Sequence, residues 1–306
     1  MNNLALKLKK IIKKNNFAIN TARKIRDNFF WKKREKAMLD YINKNYGHLF
    51  EKINNSPVCE TEFTKPYPVW FIWFQGEKSM PEIVKICYDS LLKNAGEHKV
   101  NLITFDNYSE FADIPDFIVE KHKKEFISNV HFADIIRVFL LSRYGGLYVD
   151  ATIYTSGKLP SFDGIPYSSG KWNIDGDNTL LTEYLIYCLP DNILMRICRD
   201  IFADYFKKED NVKYYFMFYV IMFTAYKKVK YVKDLIDNMP ESRRTMLDLY
   251  YLLNTEYNES EYKSLCNELR FHKLTHKEDF KKHTKNGKLT FYGYLYQEWK
   301  KEGGLN

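Results

Sequence analysis

Cysteine is scarce in this 306-residue sequence and badly placed for cross-linking. Cys59, Cys87, Cys188, Cys198 and Cys266 are odd in number and scattered, with no C-x-x-C pair. Neither a disulfide framework nor a cysteine-bound zinc is encoded, and the thiols point to a reducing cytoplasm. Long apolar runs are missing too. The longest, Tyr214 to Tyr226, has 13 residues where a membrane span needs about 20. Nothing after Met1 has the apolar core of a signal peptide. Without internal repeats or a low-complexity linker, the length fits one large domain or a domain with an extension.

Net charge is lacking everywhere but at one end. Residues 1 to 36 hold 12 Lys and Arg against Asp27 and Glu35, so this segment exceeds the whole chain's +8 and leaves the rest near neutral. That distribution excludes a nucleic-acid channel through the main domain. Within the basic segment Leu4, Leu8, Ile11 and Ile12 recur at helical spacing among Lys7, Lys9, Lys10, Lys13 and Lys14. The pattern predicts a basic amphipathic helix with two possible settings. On an anionic membrane each nearby lysine contributes roughly 1 kcal/mol; otherwise the stripe packs on its own domain. Residues 23 to 53 continue helix-like with no Gly or Pro before Gly47, so 1–60 reads as a basic helical N-terminal extension.

From Pro66 the texture changes. "YPVWFIWFQGE" (67–77) is a β-prone run, Pro81 opens a helix over 82–93, and "HKVNLITFD" (98–106) reads as a second strand. A helix interrupted at Pro115 follows over 108–126, then a helix over 131–144 and a third strand over 147–154. Alternation of this kind predicts an α/β fold with a mainly parallel sheet and ligands beyond the strands' carboxyl ends. Residues 161–178 read as loop and short strands, followed by helices near 190–207, 212–228 and 243–254 and a short strand or loop at 271–277. Aromatic residues make up 17% of the chain, a composition that suits sugar stacking and ordinary packing equally.

The polar residues of the 131–144 helix are ordered. His131, Asp134 and Arg137 recur every third position, while Ile135, Ile136, Phe139 and Leu140 supply apolar packing. Gly145 and Gly146 then reverse the chain and lay the next strand alongside, which brings Tyr148 and Asp150 toward the same crevice.

The run "HFADIIRVFLLSRYGGLYVDAT" (131–152) resembles the core signature of the bacterial capsular polysaccharide synthesis glycosyltransferases, relatives of initiating mannosyltransferases and glucosylating clostridial toxins. The likeness covers roughly residues 66–160 and the "HKLT" beginning at His272. It implies a GT-A fold, Rossmann-like and nucleotide-sugar-binding, over 61–306 with added C-terminal helices. It further implies a UDP-sugar donor, Mn2+ or Mg2+, and retention of anomeric configuration. By the same likeness Trp73, with Phe74 beside it, stacks on the base; Asp134 and Arg137 grip the donor sugar; Tyr148 borders the ribose or sugar; and Asp150 addresses ribose and cation. The second acid of the usual D-x-D is here Thr152. His272 on the cation and Lys273 on the diphosphate are the implied replacements, with a surface histidine the other reading of His272.

These implications lead to a cytoplasmic hexosyltransferase moving galactose or glucose to a lipid-linked oligosaccharide, with the basic helix as a peripheral membrane contact and no nucleic-acid partner. Two other functions fit the same residues: a protein-glucosylating effector, and a non-catalytic nucleotide-sugar-binding protein. Asp175, Asp177 and Glu183 are loop acids that either touch the acceptor or are simply solvated.

Overall fold

The computed structural model describes residues 32–56, 62–63, 66–162, 182–239 and 246–303, with the backbone of three short strands between 163 and 181. The basic helix expected over 4–14, together with Cys59, Asp175 and Asp177, lies outside the described residues.

Helix α1 spans 32–54. Strand β1 (Val69–Ile72) leads through a single 3-10 turn to α2 (Glu82–Asn94), β2 (Val100–Ile103), α3 (Tyr108–Phe111), α4 (Asp116–Lys123) and α5 (Asn129–Tyr144). Pro115, expected to interrupt one helix, separates α3 from α4 and stands at the N-cap of the latter. Ser128 caps α5 by accepting from the His131 N–H. Then come β3 (Gly146–Val149), β4 (Ile153–Thr155), β5 (Tyr167–Ser168), β6 (Trp172–Ile174), β7 (Asn178–Leu180) and β8 (Leu185–Cys188). The remainder comprises α6 (Ile193–Lys208), α7 (Met217–Lys228), α8 (Lys230–Asp237), α9 (Asp248–Leu252), α10 (Glu259–Glu268), β9 (Phe271–Lys273) and α11 (Phe291–Lys301). No helix among the described residues is long and apolar enough to cross a membrane.

The central sheet has the order β2-β1-β3-β8-β5. Strands β2, β1 and β3 are mutually parallel, with Val69 opposite both Val100 and Leu147, while β8 runs antiparallel to β3 and β5, antiparallel to β8, returns to the direction of the first three. This is the expected mixed α/β architecture with a parallel-dominant sheet. One element differs: the strand expected over 147–154 is two. Strand β3 ends at Val149, the chain turns through Asp150 to Thr152, and β4 leaves to pair with β9 in a separate two-stranded ladder.

Strand periodicity divides the core. Val69 and Phe71, Leu147 and Val149, and Leu185 and Tyr187 face one apolar cluster, shared with α2 and α11. Trp70 and Ile72, Tyr148, and Ile186 and Cys188 face the other, built by α1, α5, α6, α7 and α8. Helix α1 enters that second cluster through Met38, Ile42, Tyr46 and Phe50.

Gly145 and Gly146 hold positive φ at the junction of α5 and β3. A Cβ on Gly145 would lie 2.5 Å from the Leu189 carbonyl carbon, and one on Gly146 would lie 2.2 Å from the Pro68 oxygen. Backbone therefore occupies the volume that any side chain needs, on both flanks of β3. We expect Gly146→Ala to cost on the order of 3 kcal/mol or more, from steric overlap added to the strained backbone. Chemical denaturation would show it as a large drop in the unfolding midpoint; a drop within about 0.5 kcal/mol would refute the close approach.

Candidate functional site

Asp150 occupies the turn where the chain leaves the sheet. Its N–H donates to the Tyr184 carbonyl at 2.9 Å, its Oδ1 accepts from the Thr152 N–H at 3.0 Å, and the Thr152 hydroxyl donates to the same oxygen at 2.8 Å. A side-chain oxygen that accepts from the backbone two residues on is the local device by which Asp fixes tight turns. Lys273 completes the group from β9, donating to Asp150 Oδ1 at 2.6 Å and to the Thr152 hydroxyl. Burial opposes the Asp150 charge, but the Lys273 ammonium and the Thr152 donors outweigh it and hold the carboxyl far below the usual carboxylate range.

Beside it α5 contributes a buried ion pair, Arg137 Nη2 to Asp134 Oδ1 at 3.1 Å. Arg137 Nη1 donates to the Glu183 carbonyl at 2.6 Å, Nη2 donates to the Tyr148 hydroxyl at 3.2 Å, and the guanidinium lies 4.1 Å from the Tyr148 ring centre. Its Nε is buried without a partner. Burial raises the pKa of Asp134, with the Arg137 charge acting against it, and burial together with Asp134 raises that of Glu183. Glu183, expected in a variable loop, thus stands in the polar group behind Arg137. His131 shares the α5 stripe but is engaged at the rim, with Ser128 and the Tyr215 carbonyl.

A crevice of about 600 Å³ opens beyond the carboxyl ends of β1 and β3. Trp73, Phe74, Arg137, Tyr148, Asp150 and Lys273 all line it. Asp134 is absent from its walls and is linked to it only by the contact with Arg137. The two indoles of β1 and its exit have different fates: Trp70 is buried, donating to the Gly145 carbonyl at 2.8 Å, while Trp73 stands at the mouth and donates to the Ser79 hydroxyl at 3.1 Å. Phe74 is stacked on Phe105 with ring centres 4.4 Å apart. Gln75, Asn129, Tyr215, Tyr250, His276 and Lys277 also line the crevice and were not foreseen. His276, with its ring 5.7 Å from that of Trp73, lies four residues beyond His272 in the same "HKLTHK" run, which was the available signal.

His272 is not in the crevice. In the β4–β9 ladder it pairs with Tyr154, while Lys273 pairs with Ile153, and successive strand residues point to opposite faces. Once Lys273 reaches Asp150, His272 is turned away. It is fully buried, with Nε2 3.1 Å from the Ser156 hydroxyl. The expected cation ligand is a core histidine, and the surface reading fails as well.

That correction bears on Mn2+ or Mg2+. Among the described residues no three His, Cys, Asp or Glu side chains come together to hold a metal. Asp150 is the one crevice carboxylate among them, and its Oδ1 carries the Lys273 ammonium. Hard cations take several oxygen ligands, so these residues do not fit a dedicated divalent site.

An aromatic at the mouth, a buried guanidinium and an acid–lysine pair are gathered at the ends of parallel strands, where open α/β sheets take their ligands. A model of the family described as capsular polysaccharide synthesis protein matches residues 18–295, and the chain belongs to that family. A nucleotide-sugar donor and an acceptor follow at that level. Two solved structures are similar in part. The PaToxG glycosyltransferase is 13% identical with a TM-score of 0.40, over 67% of this chain and 83% of that one. The apo-form glycosyltransferase GlyE of Streptococcus pneumoniae TIGR4 is 12% identical with a TM-score of 0.37, over 78% of this chain and 64% of that one. No curated protein matches significantly.

The placement of His272 can be tested by pH. Burial pushes its pKa down from 6.5 to about 4, so the unfolded chain takes up a proton there that the folded chain refuses. Its contribution to stability is full above pH 6.5 and declines as pH falls toward 4. The loss is on the order of 3 kcal/mol. Denaturant unfolding of wild type and His272→Gln across that range should give a visibly shallower acid slope for the variant. Parallel slopes would place the ring in contact with solvent.

Proposed function

We propose that this enzyme transfers a hexose, galactose or glucose, from a UDP-sugar to a lipid-linked oligosaccharide with retention of configuration. The observation that carries the reading is the meeting of Trp73, Arg137, Asp150 and Lys273 on one crevice. Trp73 supplies a π-face for the uracil ring, since base stacking needs an accessible aromatic at the mouth. Arg137 lines the crevice, where its guanidinium serves as the donor to a sugar hydroxyl, and Asp134 holds that guanidinium in place. Asp150 keeps one carboxylate oxygen for ribose or sugar hydroxyls while Oδ1 is held by Lys273 and Thr152.

Transfer breaks the bond between the anomeric carbon and the diphosphate oxygen, and the electron pair stays on that oxygen. The acceptor hydroxyl oxygen bonds to the same carbon from the same face, and its proton passes to the departing phosphate. Lys273 stabilises the charge that develops on the leaving group. The lipid-linked acceptor and the membrane contact rest on the family's role in capsule assembly and on the basic segment preceding α1. We read 1–60 as an N-terminal extension whose basic segment serves that contact while α1 packs on the catalytic domain of 61–306.

A panel of nucleotide sugars, assayed for release of free nucleoside diphosphate without acceptor, identifies the donor; no release from any UDP-sugar would remove the reading. Asp150→Ala should lower turnover about 100-fold or more in protein that is still folded, although loss of the bonds to Thr152 and Lys273 also lowers its unfolding midpoint. A near-normal rate in the folded variant would take Asp150 out of the mechanism. Trp73→Ala should weaken UDP binding about tenfold, with Trp73→Phe recovering most of it, and calorimetry would check both.

A further inference from the structure

We infer that Lys273 takes the place of the divalent cation in this site, so that diphosphate binding does not require a metal. The inference rests on the UDP-sugar reading above and concerns the charge that holds its diphosphate.

Three observations support it. First, the ammonium touches both oxygens, Asp150 Oδ1 at 2.6 Å and Thr152 Oγ1, of the two positions at which a D-x-D motif would hold an ion. A dication bound to Oδ1 would be pressed against a positive charge already there. Second, the charges balance as they stand. Two carboxylates with a dication are neutral, and one carboxylate with one ammonium is neutral as well. Third, the position of the ammonium is built into the backbone. The Lys273 N–H donates to the Met246 carbonyl at 2.7 Å, the Leu274 N–H donates to the Thr152 carbonyl at 2.8 Å, and β4 pairs with β9 between them. The side chain is 21% exposed and lines the crevice.

An ammonium has three N–H donors. Asp150 and Thr152 take two, and the third is left for a ligand oxygen. Lys277 and His276 lie along the same wall, so further positive charge and a further donor are within the crevice. The site thereby receives an anion with the acid neutralised in advance, the role the cation plays where two acids face a diphosphate.

Calorimetric titration of the purified chain with UDP, and separately with uridine, tests this. For the wild type we expect the same UDP affinity, within about twofold, in chelator and in excess Mn2+. Lys273→Met should weaken UDP binding by about tenfold or more in chelator while uridine binding is unchanged, and Lys273→Arg should retain most of the affinity. A wild-type UDP affinity that falls about tenfold or more on chelation would overturn the inference and leave the nucleotide reading standing. Unchanged UDP affinity in Lys273→Met would do the same. Failure of both UDP and uridine to bind under every condition would remove the donor reading itself, and this inference with it. The wild-type comparison decides the matter even where the methionine variant does not fold.

Discussion

Strand β3 has backbone against its start on both flanks, and the position of almost every functional group follows from that contact. Gly145 lies against Leu189 and Gly146 against Pro68, so the chain can close up only where no Cβ intervenes. The seat between β1 and β8 aims the carboxyl ends of β1 and β3 the same way. Trp73 and Asp150 are the residues released there. The same reversal sets α5 against the sheet, and Trp70 ties the two together by donating to the Gly145 carbonyl. Arg137 and Tyr148, on different elements, consequently meet within hydrogen-bonding distance.

The site keeps its charges in two tiers with different duties. Arg137 and Asp134 are almost wholly buried, where a lone charge would be costly and a pair with added hydrogen bonds is tolerated. Such a pair is suited to holding geometry, and Tyr148, Glu183 and Phe218 close around the guanidinium to fix it. Asp150 and Lys273 are more open, with side-chain exposures of 29% and 21%, so their charges reach a ligand while remaining shielded enough to act strongly on it. Burial raises the pKa of Asp134 and the Lys273 contact depresses that of Asp150. Two nearby aspartates are thereby driven apart by surroundings alone.

Much of this was legible in the residues, and the limits have physical causes. The first half of the α/β alternation could be read because Pro81, Pro115 and the glycine pair punctuate it, and because β1 is apolar on both faces, as a central strand must be. The break at Asp150 was not read: the sequence is β-prone on both sides of Asp150-Ala151, and nothing local shows that the second part pairs with a different ladder. His272 and Lys273 illustrate the same limit more sharply. Which of two neighbours faces the crevice depends on the register of β9 against β4, residues more than a hundred positions away, and a shift by one would exchange them. Tyr215, Tyr250 and His276 escaped notice because they enter from the C-terminal half, where helical periodicity shows which residues are buried but not which neighbour covers them.

The β4–β9 ladder is therefore more than an appendage to the central sheet. It has three residue pairs, yet it joins the turn carrying Asp150 to the segment carrying Lys273, His276 and Lys277. A ladder that short gains little from its own hydrogen bonds. What anchors it is apolar packing, with Ile153, Phe271 and Leu274 all buried in the cluster that contains α2 and α11. The electrostatics of the crevice thus depend on side chains that never touch it. Lys273 meets Asp150 because the register of β9 against β4 turns it to the crevice, and the same register turns His272, one residue earlier, into that packing.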